Sequence, residues 1–175
     1  MKLIKMLGLM TLLAVPLCGC VSLPVMNMTS QNYQKAPVFV DTLSFEKFKR
    51  PEKWESDAEW NKHVDAWQKT FWGALVDRFP QARRLDKDAK QGMIAKPFVS
   101  NIERHYIQMI GGEDIMQFEV ELYNAATNEK IGMINYRGDS SGSGYAVFSF
   151  GGRMGECARM GGDLLGRTLE KNQKP

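Results

Sequence analysis

The sequence predicts a single α/β (α+β) domain: a mixed sheet of about five strands with one long aromatic-striped helix and a Gly-rich C-terminal helix. Three observations predict it. An apolar stripe of helical period runs from Trp60 to Phe79. Two alternating segments, from Phe118 to Tyr123 and from Lys130 to Arg137, flank a polar turn. A second helical stretch near the C-terminus is interrupted by glycines. With 175 residues, 43% hydrophobic and 25% charged, the chain has room for one ordinary domain; it is neither a disulfide-rich mini-protein nor wholly disordered.

The domain is expected over residues 37–171, with a short tail at 172–175. Val38, Phe39 and Val40 begin a nearly continuous apolar run, as in an interior strand covered on both faces. Ser56-Asp57-Ala58-Glu59 is a capping box, with Ser56 at the N-cap and Glu59 reaching back. Trp60, Val64, Trp67, Phe71, Leu75 and Phe79 then share one face of a helix of roughly 34 Å that Pro80 closes. That spacing is the pattern of a core face; the alternative is an aromatic ligand box in which Trp60, Trp67 and Trp72 take part.

Arg83-Arg84-Leu85 is read as a short strand, followed by a polar turn from Asp86 to Gln91. Strand-forming stretches surround Met93-Ile94 and Phe98-Val99, where Pro97 points to an edge position or a bulge, and continue from Ile102 to Ile110. Gly111 to Asp114 is read as a turn. The strongest hairpin signal follows, from Phe118 through the turn at Asn124–Glu129 to Arg137. Gly138 to Gly144 is a flexible loop, with a further core strand or an exposed apolar strip after it at Tyr145, Val147, Phe148 and Phe150. From about Gly152 to Lys171 the pattern is helical. Gly151 and Gly155, and Gly162 and Gly166, lie four apart on one face, which allows close backbone packing. The expected neighbour is the domain's own sheet, with a partner helix as the alternative.

The N-terminus reads as an address. Lys2 and Lys5 precede an apolar run from Met6 to Leu17 that is too short to span a bilayer. The run ends in Leu17-Cys18-Gly19-Cys20, which resembles a bacterial lipobox. The resemblance implies a signal peptide over residues 1–19, cleavage between Gly19 and Cys20, diacylglyceryl transfer to the Cys20 thiol and acylation of the new amine. Two or three acyl chains anchor a protein stably where one holds only marginally. Val21 follows the cysteine instead of Asp, which in the enteric sorting pattern implies the outer membrane, periplasmic face. Residues 20–36 are expected to form a lipidated cysteine and tether.

The element order and the residues from Phe118 to Gly132 resemble those of bacterial lipoproteins of an uncharacterised family, related to the TolB amino-terminal domain and to curli-export-type lipoproteins. Such hairpins often carry Asp-Ala-x-Thr-Gly; here Asn124 stands in place of the Asp and Asn128 in place of the Gly, and both tolerate tight turns. The resemblance implies a fold and conveys no catalytic residues.

The search for chemistry gives little. Without Lys2 and Lys5 the chain has 21 basic and 20 acidic residues, too balanced for broad nucleic-acid binding. Of three cysteines, Cys18 leaves with the signal, Cys20 carries lipid and Cys157 stands alone, expected to be buried. His63 and His105 have no second histidine or cysteine at metal spacing, so no metal site and no cofactor are expected. A serine-hydrolase reading would use Ser140 or Ser141 with His105, but the sequence shows neither a base in register nor an oxyanion hole. Lys47, Lys49, Arg50 and Lys53 are expected on a solvated surface, with anionic polymer or lipid headgroups as the alternative.

The chain is therefore expected to be a non-catalytic, lipid-anchored interaction module of the cell envelope that contacts the membrane through its anchor and another envelope protein through Tyr145, Phe148 and Phe150. Self-association is left open. The alternative is a module that binds a small molecule, a lipid or a peptidoglycan fragment.

Overall fold

The computed structural model describes residues 27–28, 36–86, 89–105, 113–140 and 149–173. The elements run β1 (Asn27–Met28), β2 (Val38–Val40), α1 (Asp57–Arg78), β3 (Arg83–Arg84), β4 (Met93–His105), β5 (Glu113–Asn124), β6 (Lys130–Asp139) and α2 (Phe150–Gln173). The strands form one mixed sheet in the order β1-β6-β5-β4-β2-β3. Both helices pack on one face of it, as an α+β domain requires.

α1 forms where its signals place it. The Ser56 hydroxyl accepts from the Glu59 amide, the Glu59 carboxylate accepts from the Ser56 amide, and Phe79 ends the helix by donating its amide to the Leu75 carbonyl. The stripe is buried at Trp67, Phe71, Leu75 and Phe79, while Trp60, Val64 and Trp72 are half-buried. The β5–β6 hairpin also forms as expected. Asn124 caps its turn by accepting from the Ala126 and Thr127 amides, at 2.8 and 3.3 Å, and Asn128 sits at φ 55°, a conformation that asparagine tolerates.

Five expectations change. The neighbour of the glycine face is α1, not the sheet. The helices run side by side, and a methyl at Gly162 would collide with the Phe71 carbonyl, at Gly166 with Arg78 and at Gly151 with the His63 ring. Gly161 faces the sheet instead, against the Phe118 ring. Large residues on α1 and absent side chains on α2 bring the two helix backbones together.

Pro97 stands in an interior strand, since β4 lies between β5 and β2. Its carbonyl accepts from the Ser44 amide on the β2 side, so the donor that proline lacks points there, away from the β5 ladder. The irregularity falls later, between Val99 and Asn101. Glu113 and Asp114 belong to β5 instead of a turn, and Asp114 is fully buried. Finally, Asn27 and Met28, within the expected tether, pair antiparallel with Met133 and Gly132 as an edge strand. α2 starts at Phe150, two residues before its expected beginning.

Candidate functional site

Among the described residues, two places hold groups that could do chemistry or bind: a buried polar cluster at one end of the sheet, and an open groove along residues 41–46, the segment that follows β2.

The polar cluster joins β5, β6 and α2. Arg153 Nε donates to Asp114 Oδ2 at 2.8 Å, with both side chains almost wholly out of water. The Asp114 amide donates to the Ser140 hydroxyl at 2.9 Å, and the Ser140 amide donates to the Asp114 carbonyl at 3.1 Å. The same carbonyl accepts from the Cys157 thiol at 3.1 Å. Burial pushes that thiol far up from its ordinary range, and the Asp114 and Asp139 carboxylates add to the rise. A buried neutral thiol is a poor nucleophile. Ser140 is 1% exposed and locked into the sheet ladder, so its hydroxyl serves the fold. Ser141 lies outside the described residues, as does the His105 side chain.

The other histidine is part of the packing. His63 stacks on Trp67 with ring centroids 5.5 Å apart, its Nε2 3.6 Å from Glu55 Oε1. Trp67 Nε1 donates to the Gly151 carbonyl at 2.9 Å. Around it gather Phe45, Phe48, Trp54, Trp60 and Phe150, in contacts of 5.4 to 6.5 Å that join the N-terminal ends of both helices. Trp67 thus belongs to the core, and Trp60 reaches the surface. No group of three or more metal-ligating side chains occurs among the described residues.

The groove, of about 740 Å³, follows residues 41–46 between α1 and the outer sheet face and is lined by Asp41, Glu46, Trp60, Asn61, Lys96 and Glu121 among others. Its aromatic rings are already covered. Lys47 lies over Phe98 at 4.2 Å, Lys96 over Tyr123 at 4.5 Å and Arg50 over Trp60 at 5.4 Å. The outward groups of the edge are capped too, since Gln68 Nε2 donates to the Leu43 carbonyl and the Thr42 amide to Asp41 Oδ1. An edge capped in this way resists strand addition.

The outer face carries a charge network. Lys47 binds Glu119 and Glu121, and Lys130 binds Glu121 at 2.8 Å. The Lys130 bond, opposed by partial burial and helped by Tyr123 and Lys47, holds the Glu121 carboxyl down at about 2. Burial acts against the Lys47 charge, yet its bonds to Glu119 and Glu121 prevail and raise its pKa. Lys47 and Arg50 of the expected solvated cluster are therefore paired, Arg50 with Asp57.

Cys20, Gly19, Tyr145 and Phe148 lie outside the described residues. Phe150 is described: it is half-buried at the start of α2, with its ring 5.4 Å from Trp54 and the Arg104 guanidinium 4.3 Å above it. No helix among the described residues is long and apolar enough to cross a membrane.

No family model matches the chain. No curated protein matches either. Solved structures do. PelC from Paraburkholderia phytofirmans, crystallised as a dodecamer, is 13% identical at a TM-score of 0.46, over 87% of this chain and 99% of that one. A hypothetical protein from Chlamydia trachomatis is 10% identical at 0.43, over 78% and 95%. A Xanthomonas campestris protein of the DUF330 family is 11% identical at 0.49, over 85% and 96%. All three fall below a TM-score of 0.5.

Proposed function

We propose that the chain is a bacterial lipoprotein, cleaved between Gly19 and Cys20 and anchored through Cys20 to the periplasmic face of the outer membrane, that acts as a non-catalytic interaction module of the envelope. The observation that carries the reading is Leu17-Cys18-Gly19-Cys20 directly after a signal-type apolar run. The state of the candidate nucleophiles supports the non-catalytic part: Cys157 is buried and held neutral, and Ser140 is fixed in the sheet. Intact-mass spectrometry of the mature chain tests the anchor. The proposal expects an N-terminus at Cys20 bearing acyl chains; a chain starting elsewhere, or an unmodified Cys20, overturns it.

The groove favours a second reading, in which the module binds a small molecule or a peptidoglycan fragment. With the ring faces covered, a ligand there would meet Asp41, Glu46, Asn61 and the edge of Trp60. Native mass spectrometry of protein released gently from membranes checks this. A co-purified compound lost in an Asn61→Leu variant supports the groove; the same compound retained by that variant places it elsewhere.

A further inference from the structure

A carboxylate and an imidazole meet where the two helices start. Glu55 stands between Trp54 and the Ser56 cap of α1, and its Oε2 is buried without a hydrogen-bond partner among the described residues. Its other oxygen, Oε1, lies 3.6 Å from His63 Nε2, within ion-pair range but long for a hydrogen bond. A carboxylate oxygen held out of water without a donor is costly. The neighbouring imidazole is placed to relieve that cost, and only its protonated form brings a charge to the task.

The His63 ring is held on its other sides. It stacks on Trp67 at 5.5 Å, nearly parallel, and a methyl at Gly151 would strike its Cε1 and Nδ1. The ring therefore fills the space between α1 and the first turn of α2. At the same place Trp67 Nε1 donates to the Gly151 carbonyl, and the Trp54 ring packs on Phe150 at 5.4 Å. Glu55, His63 and Gly151 thus join the segment that leads into α1, α1 itself and the start of α2.

The other charged groups of these segments are engaged or in solvent. Arg50 binds Asp57, Glu59 accepts from the Ser56 amide and hydroxyl, Arg153 binds Asp114, and Arg104 of β4 lies over Trp54 and Phe150. Glu52, Lys53, Lys62 and Asp65 are exposed. The positive end of α2 works against a charge on His63, and Glu55 works for it.

We infer that Glu55 and His63 form a proton-dependent clasp: protonated His63 donates to Glu55 and fastens the segment before α1 to the start of α2, and loss of that proton loosens it. The added hold is present while the imidazole is charged and the carboxyl ionised. It is lost as pH rises through the imidazole titration, which for this type of side chain falls at about 6.5.

Hydrogen exchange of the full chain under native conditions tests the clasp, with rates corrected for the intrinsic pH dependence of amide exchange. The amides of residues 54–56 and 151–154 are compared at pH values of about 5.5 and about 8, on either side of that titration. Their protection is expected to be about threefold or more lower at the higher pH. The drop is expected to vanish in Glu55→Gln and in His63→Gln, so that either variant suffices where the other fails to fold. Protection that does not change with pH in the native chain, or a drop that either folded variant retains, overturns the clasp. A drop of equal size throughout β5, instead of one confined to the helix starts, overturns it as well.

Discussion

Along β5, the residues that face the helices, from Asp114 through Met116, Phe118 and Val120 to Leu122, are at most 1% exposed, while the alternate residues on the outer face, Ile115 to Tyr123, keep part of their surface in water. Each face holds an ion pair, and the two pairs differ in kind. On the inner face Arg153 and Asp114 are sealed beneath α2; on the outer face Glu121 shares Lys47 and Lys130 at the protein surface. Removing one partner of a buried pair strands a charge where water cannot reach it, whereas an exposed partner is resolvated. The inner face therefore fixes where α2 starts, and the outer face tolerates change.

The sharpest way to break this contrast is Arg153→Leu. It is expected to cost about 3–5 kcal/mol, because the Asp114 carboxylate stays buried without its partner. Urea denaturation measures it, and a loss below about 1 kcal/mol would make the two faces alike. Gly162→Ala comes next. In an ordinary helix alanine stabilises by about 1 kcal/mol, but here the methyl meets the Phe71 carbonyl, and a loss of about 1–3 kcal/mol is expected. A gain in melting temperature would show that the helices have room to spare.

Tyr136→Phe reverses the sign. The Tyr136 ring stacks on Phe118 at 5.1 Å, and its hydroxyl is buried with no hydrogen-bond partner among the described residues. Removing it is expected to stabilise by about 1 kcal/mol; a destabilisation on the same scale would mean that the hydroxyl is satisfied. Glu121→Gln gives the smallest change, below about 1 kcal/mol at neutral pH. With its carboxyl at about 2 instead of the usual 4.5, Glu121 stabilises the fold above pH 4.5, and that contribution is lost as pH falls toward 2. Thermal melts across this range are expected to show a shallower acid slope for the variant, and an unchanged slope would remove Glu121 from the acid response.

Local signals were readable and partnerships were not. The capping box, the stripe from Trp60 to Phe79 and the turn residues Asn124 and Asn128 act through neighbours a few residues away, so the sequence displays them directly. The glycine face of α2 was equally visible, but periodicity identifies a face without its neighbour, and α1 occupies the place expected for the sheet. Asp114 beside Gly111 and Gly112 looks like a turn residue; only its partner 39 positions on, Arg153, makes it a strand residue. β1 has two residues and no alternation to detect. Of the candidate site, Cys20 and its motif are legible in the sequence alone, whereas the groove joins segments far apart in the chain.

In-cell crosslinking with mass spectrometry, on the native chain and on a Cys20→Ala variant, tests the anchored-module reading most directly. The account predicts that the native chain fractionates with the outer membrane and crosslinks to a defined envelope protein, and that the variant loses both. A Cys20→Ala chain that stays membrane-bound and keeps the same crosslink would contradict it.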